Sequence, residues 1–386
     1  MISVDEARAV VRAHARPLGG VERVRLAEAL GRGLAGPLRA DRDDPPFDRS
    51  MMDGFAVRAA DATPGRALEV VGRIAAGQAE LPRVGPGEAA WINTGAPLPP
   101  GADAVVPVEQ TRGEVEIVEG VAAGDNVLPR GALARKGDAV APPGPLTAER
   151  IAVCAAVGAD PVDVVPRPRV AVLATGGELT EDPGAHEIRN SNGPMLRSLL
   201  EGCDVADLGT APDDPAALGE ALAEGLRHDV LVTTGGVSKG ELDLVRPALE
   251  KLGVEVAFHG VALQPGKPVL FGTHAGGAAF GLPGNPVSAL VCARLLVLPY
   301  VHALQGGGFD DVLRPVKGRL ASAVRASAKR QRVFPCRFRD GAVEPLPWRS
   351  SADLYTAARA DAWLVIGIGK DLAAGEEVTC LVPRPR

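Results

Sequence analysis

Five short turns in the second half of the chain combine glycine or proline with side chains that bind anions or cations. Glycine-rich turns that lead into helix N-termini expose backbone N–H groups and a positive dipole end, which suits a phosphate group. The chemistry these residue types favour is therefore the binding of a phosphorylated ligand. The turns are Thr175–Glu178, Thr210–Asp214, Thr233–Asp243, Gln264–Pro268 and Leu282–Ser288.

Three carboxylates stand in or beside these turns, namely Glu178, Asp213 and Asp243. Carboxylates near phosphate oxygens suit a hydrated Mg²⁺ ion. Simpler roles stay open: Glu178 as a solvated turn residue, Asp243 as a helix cap and Gly235-Gly236 as a tight turn without a ligand. Asp214, which precedes a proline, is expected to cap a helix.

Alternating strands and helices are predicted from Arg169 onward. The run Arg169–Thr175 is apolar and β-branched, as in a strand buried on both faces. Such alternation is typical of a doubly wound, mostly parallel sheet, and ligands bind beyond the carboxyl ends of its strands. We therefore expect all five turns at one edge. The predicted strands are Arg169–Thr175, Asp204–Gly209, Asp229–Thr234, Val254–Val261, Val269–Gly272 and Ala278–Leu282; the predicted helices begin near Ser191, Asp214, Asp243 and Asn285.

The remaining segments alternate between helical and β-rich patterns. A capping box at Ser3–Glu6 predicts a helix start, and residues 146–157 are helical in pattern. Short β-type runs separated by Gly or Pro turns fill much of the rest. We therefore predict four domains: 1–47 with 139–166 as an elongated helical linker domain, 48–138 as an inserted β-rich domain, 167–311 as an α/β domain and 312–386 as a C-terminal β-barrel-like domain.

Composition excludes several classes of function. The 386 residues carry a net charge of −6 and 3% aromatic residues, which disfavours nucleic-acid binding. No apolar run of membrane-spanning length occurs, and the N-terminus does not have the pattern of a secretory signal. The five scattered cysteines are expected to be free thiols of a reducing compartment, which predicts a cytoplasmic protein.

Two patterns invite other interpretations. Gly236–Gly240 matches the G-x-S-x-G elbow of serine hydrolases, but no late histidine or oxyanion-loop glycine cluster accompanies it. Between Arg314 and Arg339 stand nine basic residues and no acid. This band is interpreted either as a solvated strand face or as a positive wall that attracts an anion.

Taken together in order, the motifs resemble the molybdopterin molybdenumtransferase (MoeA) family, which is related to the gephyrin E domain and its plant counterpart. The resemblance covers essentially the full length. Its marks are Ser50–Val57, Asn93–Pro97, Gly101–Val106, Arg130 to Asp138, Thr175–Leu179, Gly235 to Asp243, Pro265–Pro268 and Leu282–Ser288.

The resemblance implies an elongated, four-domain subunit that forms a homodimer with a shared active site. The implied reaction inserts molybdate into adenylylated molybdopterin with Mg²⁺ and releases AMP, leaving molybdenum cofactor. The pterin sulfurs, rather than a protein nucleophile, are expected to attack molybdenum. A transient contact with the adenylyltransferase that makes the intermediate is expected as well, with no nucleic-acid or membrane partner.

Site residues follow from the resemblance, motif by motif. The catalytic set it implies is Asp53, Thr94, Asp138, Glu178 and Asp243, with Glu178, Asp213 and Asp243 as metal ligands. Lys267, Arg330 and Ser351 are implied contacts of molybdate. The implied substrate and nucleotide contacts are Asn192, Asp213, Gly235, Gly236, Ser238, Gly266, Lys267, Pro268 and Asn285.

One position departs from the family pattern. Gln264 stands where many members carry a second lysine in the K-P-G-K-P loop. A neutral amide attracts an anion less than an ammonium group, so we hypothesise that Lys239 or the basic band compensates.

Two other functions stay open, a molybdopterin adenylyltransferase and a non-catalytic, gephyrin-like scaffold. The acidic residues at the strand ends favour catalysis over a scaffold. The β-rich modules favour the molybdenumtransferase over the adenylyltransferase, because the latter needs only the α/β domain.

Overall fold

The computed structural model describes residues 1–113, 115–212, 214–237 and 244–383. The chain divides into two compact units. The larger consists of Met1–Ala35, Pro143–Ala148 and Pro161–Arg386, and the smaller of Gly36–Pro142 and Glu149–Asp160.

The elements before residue 168 are short. The helices are α1 (Val4–His14) and α2 (Ala148–Ala156). The strands are β1 (Glu22–Val24), β2 (Gly33–Leu34), β3 (Leu38–Arg39), β4 (Arg49–Ser50), β5 (Gly54–Val57), β6 (Glu69–Ile74), β7 (Glu88–Ile92), β8 (Ala104–Pro107), β9 (Thr111–Arg112), β10 (Glu116–Ile117), β11 (Val127–Leu128), β12 (Ala139–Ala141), β13 (Gly144–Pro145) and β14 (Val162–Val164).

The later elements are longer. The helices are α3 (Asn192–Leu199), α4 (Pro215–Gly225), α5 (Val245–Lys251), α6 (Pro286–Cys292), α7 (Leu298–Leu304) and α8 (Leu354–Ala357). The strands are β15 (Arg169–Thr175), β16 (Asp204–Ala211), β17 (Val230–Thr234), β18 (Glu255–His259), β19 (Leu263–Gln264), β20 (Leu270–His274), β21 (Gly277–Leu282), β22 (Leu313–Leu320), β23 (Gln331–Arg339), β24 (Ala342–Pro345), β25 (Ala362–Ile366) and β26 (Glu377–Pro383).

The smaller unit is β-rich, as predicted. Its main sheet has the order β6-β7-β5-β8, in which β5 is antiparallel to both neighbours. Apolar side chains from these strands form its core, and the rings of Phe55 and Trp91 meet edge to face at 5.1 Å. In the larger unit, a sheet of order β1-β14-β2-β13 joins residues 22–34 to residues 144–164. The four-domain division stays a prediction.

The central sheet of the larger unit has the order β16-β15-β17-β21-β20-β18. Successive residues of β15 point into different cores: Val170 and Val172 into one, Ala171 and Leu173 into the other. Helices α1, α3, α6 and α7 pack on the first face, and α4 and α5 on the second. The predicted doubly wound architecture is thus confirmed.

The sheet is mostly parallel, as predicted, and its exception lies at one edge. Strand β20 is antiparallel to both β21 and β18. Only Ala275 and Gly276 separate β20 from β21, and a parallel pair needs a crossover of a dozen or more residues. Because β18 is antiparallel to β20, it runs in the same direction as β21, and its carboxyl end lies at the predicted edge.

The longest helical stretch runs from Pro286 to Leu304, with a π-helical segment Ala293–Val297 between α6 and α7. Its length and apolar composition would suffice to cross a membrane, but 83% of its most apolar window is buried inside the protein. It therefore serves as the core helix of the α/β part. All five cysteines are free thiols, as predicted.

The C-terminal module is a closed ring of five strands. Pairings run from β23 to β24, β22, β26 and β25, and β25 pairs back with β23. Strand β19 adds to this ring through a parallel pairing with β23. Backbone hydrogen bonds thereby connect the β19 segment of the α/β part to the C-terminal module.

Helix caps confirm two expectations and correct one. Ser3 forms the predicted capping box with Glu6. Asp214 accepts hydrogen bonds from the backbone N–H groups of Ala216 and Ala217, so it is a cap as predicted. Ser191 precedes α3 but makes no side-chain capping bond, because its own backbone is already helical.

Candidate active site

The parallel strands β15, β17 and β21 end in register at the same edge of the central sheet. Ala174 pairs with Thr234, and Thr234 pairs with Leu282. The Gly-containing turns that follow β15, β17 and β21 therefore start side by side. The buried Thr175 hydroxyl donates to the Thr234 carbonyl oxygen at 3.3 Å and ties two of these strand ends together.

Gly235 and Gly236 lie where a side chain has no room. Their φ angles are +91° and +60°. A Cβ atom on Gly235 would lie 2.4 Å from the Thr175 carbonyl oxygen, and one on Gly236 would lie 2.7 Å from Cγ2 of Val245. The Gly235 N–H donates to the Leu282 carbonyl oxygen at 3.0 Å. The two glycines thus let three turns approach each other closely.

Replacing Gly235 with alanine is expected to lower the free energy of unfolding by about 3 kcal/mol, from backbone strain and overpacking together. Gly209 provides a matched control, since its φ is +72° but no atom lies within 4 Å of the Cβ position. Gly209→Ala should therefore cost about 1 kcal/mol, from strain alone. Urea denaturation measures both, and equal costs would contradict the close approach at Gly235.

Glu178 is exposed in the turn after β15, and its carboxylate folds back over Gly176. A Cβ atom on Gly176 would lie 2.5 Å from Glu178 Oε2. The Glu178 carbonyl oxygen accepts a hydrogen bond from the Ile188 N–H at 2.8 Å, which holds the turn. The carboxylate is thus held near the strand end, with its oxygens accessible.

Asn192 connects α3 to the turn after β21. Its Nδ2 donates to the Gly284 carbonyl oxygen at 2.8 Å, and the residue is 8% exposed. Its Oδ1 is buried and has no hydrogen-bond donor in the described part of the chain. A buried acceptor without a donor is costly, so Asn192 is suited to accept a hydrogen bond from a ligand or water.

Ser351 is bonded to the first turn of α6, which Asn285 precedes. Asn285 is exposed and its side chain makes no capping bond to the helix. The N–H of Val287 donates to the Ser351 carbonyl oxygen at 2.9 Å. The segment that carries Ser351 is thus docked against the N-terminus of α6, where backbone N–H groups and the helix dipole favour an anion.

Lys267 and Arg330 lie on neighbouring segments. Leu263 pairs with Gln331 in the β19–β23 ladder, and the Gln331 N–H donates to the Ala262 carbonyl oxygen at 2.8 Å. The Lys267 side chain is exposed, while its carbonyl oxygen accepts from the Val261 N–H at 2.9 Å. Lys267 follows one strand of this ladder and Arg330 directly precedes the other, so the ladder connects the two segments that carry these cations.

Gly266 and Pro268 flank Lys267 in this turn. A Cβ atom on Gly266 would lie 2.6 Å from Cys292 Sγ, because the turn rests on α6. The thiol of Cys292 contacts the Gly266 carbonyl oxygen at 3.6 Å, and burial raises the pKa of this thiol. Cys292 therefore acts as a packing residue beneath the turn.

Asp53, Thr94 and Asp138 belong to the smaller unit. The Thr94 N–H donates to Asp53 Oδ1 at 2.7 Å, and Asn93 Nδ2 lies 3.3 Å from the same oxygen. These donors lower the pKa of Asp53, the Thr94 N–H most strongly. Asp138 accepts the Arg135 N–H at 2.8 Å, which closes a four-residue turn. The structure thus pairs Asp53 with Thr94 and shows a turn-forming role for Asp138.

The low pKa of Asp53 predicts a pH effect on stability. The ionised carboxylate stabilises the fold above the usual pKa of an aspartate, and this contribution is lost as pH falls through the lowered value. Asp53→Ala should therefore destabilise the chain at neutral pH, and the difference from wild type should vanish in strong acid. Urea titrations at several pH values measure it, with the exposed Asp182→Ala as control. A constant difference across pH would be the contrary result.

Three predicted site residues, Asp213, Ser238 and Asp243, lie outside the described residues, as does Lys239. Of the three predicted metal ligands, Glu178 is the one that the structure describes. Among the described residues, no group of three or more His, Cys, Asp or Glu side chains is arranged to hold a metal ion. The magnesium site therefore stays a prediction.

At least three of the nine residues of the basic band have partners within the C-terminal module. Lys317 pairs with Glu377 at 2.8 Å, Arg319 donates to the Gly375 carbonyl oxygen at 3.1 Å, and Arg337 donates to that of Arg359 at 3.4 Å. For these three residues, the interpretation as a strand face with local partners fits the structure.

Sequence reasoning missed two features of this edge. The contact of Asn192 with Gly284 spans 92 residues, and the docking of Ser351 on Val287 spans 64 residues. Neither contact has a local signature in sequence, because both depend on how distant turns meet.

Three protein-family models match successive parts of the chain. The family model described as MoeA N-terminal region (domain I and II) matches residues 2–158. A probable molybdopterin binding domain matches residues 171–303, and the MoeA C-terminal region (domain IV) matches residues 317–382.

Curated relatives and solved structures agree with these matches. The molybdopterin molybdenumtransferase of Synechococcus elongatus is 36% identical over 93% of each chain. That of a Nostoc strain is 34% identical over 93% of this chain and 88% of the relative. The molybdopterin biosynthesis MoeA protein from Pyrococcus horikoshii superposes with a TM-score of 0.86 at 27% identity, covering 99% and 100% of the two chains. A second Pyrococcus MoeA structure gives a TM-score of 0.82 at 31% identity, with full coverage of both chains.

Proposed function

Because this chain belongs to the MoeA family, we propose that it is a molybdopterin molybdenumtransferase that inserts molybdate into adenylylated molybdopterin and releases AMP. The observation that carries the proposal is the cluster of Gly-rich turns at the carboxyl edge of the central sheet. The turns after β15, β17 and β21 start side by side there, and close backbone approach at Gly235 joins these three.

The substrates of this reaction are a phosphoanhydride and an oxyanion, so the protein must mainly bind, orient and neutralise charge. The Gly236 N–H and the turn at Gly284–Asn285 would offer backbone N–H groups to phosphate, and Ser238 would add its hydroxyl. Asn192 Oδ1 offers a buried acceptor to an N–H or O–H of the nucleotide or pterin. These groups hold the anhydride at the strand ends.

Cationic groups would bind the molybdate. Lys267 supplies an accessible ammonium group on the anchored turn between Gly266 and Pro268, and Arg330 supplies a planar fork that matches an oxyanion. The Ser351 carbonyl oxygen accepts from the Val287 N–H in the first turn of α6. Together they would place the dianion near the pterin sulfurs.

Magnesium is the cofactor that the donor set suits. Carboxylates beside phosphate-binding turns are its usual protein ligands, and Glu178 keeps an accessible carboxylate at such a turn. We propose Glu178, Asp213 and Asp243 as its ligands. When bound, Mg²⁺ would polarise the anhydride and stabilise the charge on the leaving AMP.

The remaining proposals concern assembly and location. We propose a homodimer in which Asp53, Thr94 and Asp138 of one subunit complete the site of the other. We also propose a transient contact with the molybdopterin adenylyltransferase, which supplies the intermediate, and a cytoplasmic location, which the free thiols favour.

Two incubations separate the three candidate functions, one with adenylylated molybdopterin and one with ATP and molybdopterin. The chain is incubated with adenylylated molybdopterin and Mg²⁺, and AMP is measured before and after molybdate is added. A molybdenumtransferase releases AMP on molybdate addition. An adenylyltransferase instead forms the AMP adduct from ATP and molybdopterin, and a scaffold does neither.

Variants connect this assay to the proposed edge of the sheet. Glu178→Gln should reduce AMP release at least tenfold, because the amide is a poor magnesium ligand. Glu220→Gln, an exposed position on α4, should leave the rate unchanged. Equal rates of AMP release for the two variants would show that Glu178 is not part of the site. Wild-type protein that releases no AMP would overturn the proposed function.

A further inference from the structure

His259, the last residue of β18, contacts the turn that follows β17. Its Nε2 lies 2.8 Å from the Val237 carbonyl oxygen. A carbonyl oxygen only accepts hydrogen bonds, so this ring nitrogen carries a proton and donates it. Strands β17 and β18 are not neighbours, because β21 and β20 lie between them. The hydrogen bond therefore connects two strand ends across the central sheet.

The register of the sheet explains how the two residues meet. One row of paired residues crosses the four strands, namely His259, Leu270, Gly281 and Thr233. Adjacent strands lie about 4.8 Å apart, so this row spans about 14 Å. A Cβ atom on Gly281 would lie 2.7 Å from Cγ1 of Val237. Val237 thus lies over β21, in the space that a side chain at Gly281 would fill, and comes within reach of His259.

The second nitrogen of the imidazole ring faces a guanidinium group. Arg246 Nη1 lies 3.5 Å from His259 Nδ1, and Arg246 Nε donates to Glu250 Oε1 at 2.9 Å along α5. In a neutral imidazole with its proton on Nε2, Nδ1 is an acceptor, which suits a guanidinium donor. His259 is also half-buried. The ring is therefore held from both sides, with its N–H directed at Val237.

Two carbonyl groups of the turn are bonded to the protein. The Gly236 carbonyl oxygen accepts from the Val245 N–H at 3.4 Å, and the Val237 carbonyl oxygen accepts from His259. Glycine adopts many backbone conformations at little steric cost, so a turn that contains two glycines can reorient its peptide groups. Phosphate binds to backbone N–H groups, whereas a carbonyl oxygen turned toward it would repel it. Donors to these two carbonyls thus favour the orientation that an anion needs.

We propose that His259 is a positioning residue: its Nε2 proton holds the Val237 carbonyl oxygen toward β18, so that the turn from Gly235 to Val237 presents N–H groups to the phosphates of the nucleotide substrate. This role rests on the proposed function, because it concerns the same turn. His259 acts through the backbone of the turn and not on the reacting atoms. Its loss should therefore weaken substrate binding and leave the chemical step nearly unchanged.

Three variants of His259 separate the hydrogen bond from packing. His259→Phe keeps a ring and removes the donor. His259→Gln keeps an N–H at the same number of bonds from the backbone as Nε2, and His259→Asn places its N–H one bond closer, at the position of Nδ1. In molybdate-dependent AMP release, the Phe and Asn variants should raise the KM for adenylylated molybdopterin about threefold to tenfold, the usual effect of losing one hydrogen bond. The Gln variant should stay within about twofold of the wild type, and kcat should change less than about twofold in all three.

His14→Phe is the matched control, because His14 is exposed on α1 and its Nδ1 likewise lies 2.9 Å from a backbone carbonyl oxygen, that of Val10. It should leave KM unchanged. A second measurement does not depend on activity: amide hydrogen exchange of residues 230–237, followed by mass spectrometry without substrate. Exchange there should be about threefold to tenfold faster in His259→Phe than in the wild type and nearly normal in His259→Gln.

The outcomes distinguish this inference from the proposed function. Wild-type protein that releases no AMP overturns both. If the wild type is active, an unchanged KM in His259→Phe, or a KM in His259→Gln raised as much as in His259→Phe, overturns the positioning role alone. Circular dichroism checks that each variant is folded; if His259→Phe does not fold, the comparison of His259→Asn with His259→Gln decides in the same way.

Discussion

Replacing Lys267 with methionine is expected to reduce molybdate-dependent AMP release by about 100-fold to 1,000-fold, the usual cost of removing one preorganised donor to a developing or bound oxyanion. Methionine keeps an unbranched side chain that is one atom shorter and removes the charge. The loss should be largest at low molybdate concentration, because the ammonium group is proposed to bind the dianion.

The structure indicates that this loss would not come from unfolding. The Lys267 side chain is exposed, and the turn is held by backbone bonds and by Gly266 resting on Cys292. Lys251→Met is the matched control, since Lys251 is also exposed and ends α5. A full rate in Lys267→Met would show that another group, such as Arg330, binds the molybdate.

The largest expected effect on stability is that of Phe271→Ala, at about 3–5 kcal/mol. Phe271 on β20 is fully buried. Its ring centroid lies 4.9 Å from that of Phe280, 5.8 Å from that of Phe258 and 6.1 Å from that of Tyr300. Removing the ring leaves a void that these large neighbours cannot easily fill.

Urea denaturation at neutral pH measures this effect. Phe47→Ala is the control, because Phe47 is 41% exposed and its loss should change stability by less than about 0.5 kcal/mol. If both variants cost the same, the aromatic cluster around Phe271 is not the core of the larger unit.

Local patterns in the sequence predicted the central elements well. The run of Arg169–Thr175 became a strand buried on both faces, and Asp214-Pro215 opened a helix with the expected side-chain cap. These features depend on side chains near each other in sequence. The same holds for the capping box at Ser3 and Glu6.

Features that depend on distant contacts were not predictable in this way. The antiparallel direction of β20 follows from a two-residue connection, which the apolar pattern of that strand does not reveal. The role of Asp138 in closing its own turn, and the lack of a cap at Ser191, depend on backbone angles.

The candidate site also combines features that local sequence predicts with features that depend on distant contacts. The type of residue in each turn predicted an anion site, and the sheet direction placed the turns at one edge. The buried acceptor of Asn192 and the position of Ser351 beside α6 needed the fold. The predicted ligands Asp213 and Asp243 lie outside the described residues.

The most direct test of the central claim is a crystal structure of the chain with adenylylated molybdopterin and Mg²⁺. The account predicts that the anhydride lies at the carboxyl edge of the central sheet, in contact with the turns at Gly235 and Gly284 and with Mg²⁺ near Glu178. An intermediate bound at any other surface, with those turns empty, would contradict it.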